Sequence, residues 1–147
     1  PRPGRAERLP KAMEAAYRAF VAEALTGSPA DAVALTGSYL YARLPGLPDL
    51  AGLRFLHGGW WLGAFKKDRF EPSHALALGL DARQARRLAD FPADGPEVMG
   101  YLRGETLASR GENGWTLVTV DGYPLGWGKR VDGRLKSHYP KGLRRAG

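Results

Sequence analysis

The 147-residue sequence contains no cysteine. That excludes a disulfide framework, a thiolate zinc site and a thiol nucleophile. Histidine is scarce too: His57, His74 and His138 lie far apart with no ligand spacing between them, so a catalytic metal site is not expected. No apolar run approaches the ~20 residues that span a bilayer, and no signal peptide opens the chain. The cytoplasm is therefore the expected compartment, with no membrane among the partners. The sequence opens on Pro1 rather than Met, as a piece of a longer chain would. Internal repeats and low-complexity stretches are lacking.

What is present argues for a globular α+β protein. The hydrophobic content is 44% and the aromatic content 10%, enough for a workable core. The net charge is +7, and it is unevenly placed. From Gly128 to Gly147 seven cations stand against one acid, Asp132, so this tail alone carries +6. A pI near 10 favours an anionic partner, with nucleic acid ahead of a membrane surface. Simple solubility is the competing explanation.

Residues 1–10, with three prolines and three arginines, read as a connecting segment. Met13, Ala16, Tyr17, Phe20, Ala24 and Leu25 then recur at helical spacing, with Glu14 four residues before Arg18 and Gly27 and Pro29 as the stop. From Val33 to Lys67 the pattern is short extended pieces, and His57-Gly58-Gly59 is a plausible hairpin turn. In "WWLGAFKK" alternation puts Trp61 and Phe65 on one face and Trp60, Leu62 and Ala64 on the other, so both faces are apolar. Pro72 suits a first helical position before "SHALALGL". Asp81 and Gln84 resemble a capping box for a helix over 82–89, which would carry Arg86 and Arg87. A short helix is expected over 97–102. Two Asp-Gly signals, Asp121-Gly122 and Asp132-Gly133, predict a three-stranded antiparallel meander near 115–120, 123–130 and 134–138, part of a small barrel. The boundary between a first subdomain and a β-rich second one falls at about residue 90.

Several motifs invite chemistry. "GWGKR" fails as a phosphate loop: five residues rather than four separate Gly122 from Gly128, and Arg130 stands where Ser or Thr should. On that strand Tyr123, Leu125, Trp127 and Lys129 share one face, while Pro124, Gly126 and Gly128 leave the other open to a close approach. Ser73 and His74 are adjacent, and neighbours on a helix diverge by ~100°, so a hydrolase using them is the least favoured reading. "FKKDRF" interleaves Lys66, Lys67 and Arg69 with two phenylalanines, which suits either a nucleic acid or an edge strand protected by lysines. In "RLKSHY" Arg134, Lys136 and His138 share one face at ~7 Å steps, while Leu135 and Tyr139 face the core.

The stretches "LRFLHGGWWLGAFKKDRFEPSHALALGL", "YLRGETL" and "GWTLVTVDGYPLGWGKRVDGRLKSHYPKGLRR" resemble the C-terminal extension of bacterial rRNA cytosine-C5 methyltransferases of the NOL1/NOP2/Sun family, in the RsmF-type branch. The resemblance covers roughly residues 35–145. It implies an intermediate accessory subdomain over residues 1–90 and a PUA-like RNA-binding domain over 91–147. It also implies ribosomal RNA, of the small subunit, as partner, together with a catalytic domain that binds S-adenosylmethionine. Family catalysis needs two cysteines and a Rossmann-like domain, and this chain has neither. It is therefore expected to be no enzyme by itself, to hold no cofactor and to be a monomer. The expected phosphate contacts are Lys129, Arg130, Arg134, Lys136, His138, Lys141, Arg144 and Arg145. Lys66, Lys67 and Arg69 form a second patch, and Trp127 and Tyr139 are lesser candidates. The competing class is a structural or protein-interaction module that stabilises the catalytic domain. Scatter of the tail cations over all faces would favour that class.

Overall fold

The computed structural model describes residues 9–30, 32–42, 59–67 and 69–144. The expected hairpin turn at His57-Gly58 and nearly all of the connecting segment lie outside them.

Helix α1 spans Lys11–Ala24 and buries Tyr17, Phe20 and Ala24 along one stripe, as the 3–4 residue spacing requires. Arg18 pairs with Glu14 at 2.9 Å on its exposed side. The helix ends earlier than Gly27 and Pro29 would dictate. Leu25 turns extended, at φ −120°, and forms an isolated antiparallel bridge with Ala85. A distant partner for the backbone stops this helix, not a local breaker.

Four short strands follow as an antiparallel sheet: β1 (Val33–Thr36), β2 (Tyr39–Ala42), β3 (Trp60–Lys66) and β4 (Arg69–Pro72), in the order β1-β2-β3-β4. The β2–β3 register runs Leu40 to Gly63 and then Tyr41 to Trp61, skipping Leu62. This bulge breaks the alternation on which Trp61 and Phe65 would share a face. Phe65 is buried, whereas Trp61 is 37% exposed, edge-on to Tyr39 with centroids 5.8 Å apart.

Pro72 closes β4 instead of opening a helix. Helix α2 (His74–Gly79) starts two residues later, capped by Ser73, whose hydroxyl accepts the Leu76 N–H at 2.9 Å. The Asp81–Gln84 capping box forms, but it caps a single 3-10 turn, Ala82–Gln84. Arg86 N–H is already donated to Ala24 C=O, and the chain enters strand β5 (Leu88–Phe91). The helix expected over 82–89 is thus replaced by a turn and a strand. Arg87 Nη1 is held by Glu23 at 2.9 Å.

The second sheet has the order β5-β7-β8-β9-β6 and curls into a half-barrel. Its members are β5, β6 (Thr106–Ala108), β7 (Gly114–Val120), β8 (Tyr123–Val131) and β9 (Arg134–Ser137). Helix α3 (Pro96–Leu102) begins with a proline, as expected. The meander β7-β8-β9 matches the expectation closely, and both Asp-Gly pairs have positive φ at both positions (49° and 88°, then 50° and 81°), the signature of type I′ turns. Strand β5 pairs parallel to β7 and straddles residue 90.

The core has two parts. Tyr17, Phe20, Phe65, Phe70 and Leu76 pack with Trp115, Leu117 and Trp127 of the second sheet, so α1 is clasped between the sheets. Phe20 sits at the hub, with centroids 5.2 Å from Phe70, 5.9 Å from Trp127 and 6.5 Å from Trp115. The second part gathers Ala89, Tyr101, Val118 and Leu135. Among the described residues no helix is long and apolar enough to cross a membrane.

Candidate nucleic-acid interface

One face of the second sheet is divided into two halves. At one end Trp115, Leu117 and Trp127 are sealed in the shared core with Phe20 and Leu76. At the other end no described residue covers the sheet, and the side chains that project there include three cations. The register makes a row across four strands: Trp115 opposite Lys129, Lys129 opposite Lys136, and Lys136 opposite Thr106. The next row holds Val131, Arg134 and Ala108. Together Thr106, Lys129, Val131, Asp132, Arg134 and Lys136 line an open, shallow groove of ≈ 480 Å³.

Lys129, Arg134 and Lys136 are exposed, and among the described residues none of them forms an ion pair. Lys129 Nζ stands over the Trp115 ring, 5.1 Å from its centroid. The acid in the groove, Asp132, is occupied by Asn113, which accepts the Asp132 N–H at 2.8 Å and donates to its carboxylate at 3.3 Å.

His138 follows β9, its N–H donated to Trp127 C=O at 3.0 Å. Its ring lies 4.7 Å from Trp115. Burial lowers its pKa from the usual imidazole range, Lys136 lowers it further, Glu71 opposes this, and Lys129 and Arg144 again lower it. The shift favours the neutral imidazole over a standing cation.

Arg130 departs from the expected set. It is 4% exposed, on the opposite face of the sheet from the groove. Its Nη2 donates to Ser109 Oγ at 2.9 Å and to Leu88 C=O at 3.4 Å, and its Nη1 to Glu112 C=O at 3.4 Å. A guanidinium so committed ties the 109–112 loop to β5 and is not offered to a ligand. Alternation on β8 had placed it across from Lys129, but only the fold reveals that this other face is closed.

The end of the tail is mixed. Lys141 is exposed in a 3-10 turn, Lys141–Leu143. Arg144 is half-buried: its Nε donates to Tyr139 C=O at 3.0 Å and its guanidinium covers Gly104, at φ 86°. Arg145 lies outside the described residues. Lys66, Lys67 and Arg69 are exposed at the β3–β4 turn, where Glu71 pairs with Lys66 at 3.1 Å and with Arg69 at 3.6 Å. One carboxylate is thus shared by two of the three cations of that second patch.

The lesser candidates are packing residues. Trp127 is 2% exposed, and its Nε1 donates to Ser73 C=O at 3.0 Å. Tyr139 packs against His74 and Tyr101, with centroids 5.3 and 5.6 Å away. The open backbone at Gly126 receives the Tyr101 ring, whose hydroxyl donates to Trp127 C=O at 2.7 Å. Burial raises the pKa of that phenol strongly. The close approach anticipated on this strand is made by the protein itself. Leu125 leaves the expected face because a bulge opposite Val118 and Thr119 skips it. Ser73 Oγ donates to Trp61 C=O as well as capping α2, and it makes no hydrogen bond with the His74 ring. No nucleophile–base pair exists there. Among the described residues no group of three acids or histidines could hold a metal ion.

Sequence reasoning missed Thr106, Val131 and Asp132 as parts of the groove. Thr106 reaches it only because β6 pairs with β9 from nearly 30 residues away in sequence, and no local signal announces such a pairing.

Two family models match the chain in succession. The one described as RsmF rRNA methyltransferase first C-terminal domain matches residues 19–80. The one described as Methyltransferase RsmF PUA domain matches residues 89–145, which contain the half-barrel and the basic groove. The two matches leave the 3-10 turn and its capping box between them. In order and in content, this chain belongs to the C-terminal region of the RsmF-type rRNA methyltransferases.

Proposed function

We propose that this region is the RNA-holding part of its enzyme: it binds ribosomal RNA of the small subunit in the cytoplasm and positions it for a catalytic domain elsewhere. That domain supplies S-adenosylmethionine and the two cysteines of the covalent mechanism. This chain has no cysteine to contribute. The observation that carries the reading is the collection of Lys129, Arg134 and Lys136 on the uncovered half of one sheet face. A charge retained only for solubility has no reason to gather in one groove. A protein-interaction module would be served as well by cations scattered over every face.

The groove is open and lined by three cations, which suits a strand of polyanion lying along it. Lysine acts on phosphate as a point charge and arginine as a fork, so the three together grip a backbone without reading its sequence. The test is fluorescence anisotropy with a labelled small-subunit rRNA fragment. Replacing Lys129, Arg134 and Lys136 together by Ala should weaken binding at least tenfold, with circular dichroism unchanged. Undiminished binding by the folded triple variant would contradict the proposal.

A further inference from the structure

Lys129 and Lys136 are directly opposite each other on adjacent antiparallel strands. Like charges in that position destabilise a sheet, and no acid among the described residues is paired with either. Lys129 leans away, over the indole of Trp115 on the far side of the row, 5.1 Å from its centroid. The ring's negative face offsets part of its charge. Lys136 has no such support: its other neighbour is Thr106, a neutral hydroxyl. Asp132 lines the end of the groove but pairs with neither lysine; its carboxylate accepts from Asn113 at 3.3 Å. The free protein thus maintains a repulsive pair beside an open groove.

We propose that this pair is a phosphate clamp: one phosphodiester of a bound RNA strand sits between the ammonium groups of Lys129 and Lys136, and Arg134 takes the adjoining phosphate. The proposal rests on the RNA-binding reading and goes beyond it in assigning one shared anion to two named residues. A phosphate has several oxygens to offer and can accept from both lysines at once. Arg134 and Lys136 are two residues apart on one strand face, ~7 Å, so the cations repeat along the strand as a polyanion's charges do. An acidic peptide holds its carboxylates on flexible side chains whose ordering costs entropy, and is the weaker fit.

The clamp has a signature that a general basic surface lacks. Removing one lysine should stabilise the free protein while weakening the complex. Lys136→Gln should raise the melting temperature at low salt by about 1–4 °C and weaken binding to a structured rRNA fragment about five- to tenfold. Lys136→Arg, which keeps the charge, should retain both the wild-type melting temperature and the binding. Because one phosphate is shared, the double variant Lys129→Gln/Lys136→Gln should bind less weakly than the product of the two single losses predicts. Inorganic polyphosphate should raise the wild-type melting temperature more than polyglutamate at equal charge. The clamp is overturned if Lys136→Gln binds RNA like the wild type, or melts lower while Lys136→Arg does not. It is also overturned if the two losses multiply or if polyglutamate stabilises more. Should those results appear while the Lys129/Arg134/Lys136 triple variant still loses RNA, the clamp fails and the RNA-binding reading stands. If the wild type binds no RNA, both fail.

Discussion

Arg130 and Lys129 are neighbours in sequence with opposite fates. Lys129 stands in the groove, while Arg130 turns into a closed loop where Ser109, Glu112 and Leu88 accept its hydrogen bonds. Hydrogen bonds from a charged donor contribute about 1.5–3 kcal/mol. Arg130→Ala should therefore lower stability by about 2 kcal/mol in urea denaturation, and the salt dependence of RNA binding should not change for the protein that remains folded. A reduced slope would return Arg130 to the binding set. His138 and His74 belong to the same scale. Burial lowers the pKa of both below the ordinary value, which is about 6.5. The unfolded chain then takes up protons first as pH falls, so the stability contributed by the neutral rings is complete above about pH 6.5 and is lost below it. The urea midpoint should drop between pH 7.5 and 5, and the drop should shrink in His74→Gln and His138→Gln. A midpoint that does not move over this range would contradict the assignment. A phosphate bound beside Lys129 and Lys136 would raise the His138 pKa again, so RNA binding should tighten as the pH falls from 7.5 to 6.

At the scale of elements, legibility follows how local the deciding interactions are. The meander was readable because Asp121-Gly122 and Asp132-Gly133 set their own backbone angles, and both turns came out as left-handed pairs. Gly122→Ala and Gly133→Ala meet no steric obstacle, so their cost is conformational, about 1 kcal/mol each. A loss well above that, measured by urea denaturation, would mean that the glycines do more than turn. Ser73→Ala removes the α2 cap and also the hydrogen bond to Trp61 C=O, so it should cost about 2 kcal/mol and leave RNA binding intact. What could not be read is what distant partners decide. Leu25 leaves its helix because Ala85 is there to bridge it, and β5 forms because β7 offers a parallel edge. The capping box at Asp81 was visible in sequence, but the length of what it caps was not. The groove was half legible. Alternation along β9 placed Arg134 and Lys136 on one face, whereas the burial of Arg130 and the arrival of Thr106 depend on pairings between distant segments.

For the whole molecule, the arrangement of charge follows from the arrangement of aromatics. Phe20 joins Phe70 of the first sheet to Trp115 and Trp127 of the second, and this contact covers one half of the β7–β8–β9 face. The other half is left to the cations. Phe20→Ala should cost about 3–5 kcal/mol and loosen the groove along with the core, a dependence that hydrogen exchange at Trp115 and Trp127 would register. The central claim is that Arg134 and Lys136 neutralise RNA phosphates, and the salt dependence of binding tests it most directly. Each phosphate contact lowers log K by about 0.7–0.9 per decade of salt. Arg87 makes a poor control because it is held by Glu23, and so does Arg18, which Glu14 holds at 2.9 Å; Lys11 and Arg86 are exposed and form no ion pair among the described residues, so they make a better one. Salt titrations of rRNA-fragment binding should give Arg134→Ala/Lys136→Ala a slope shallower by about two contacts, roughly 1.4–1.8, and leave Lys11→Ala/Arg86→Ala close to the wild type. Equal slopes for all three folded proteins would contradict the claim and return the groove to plain solvated surface.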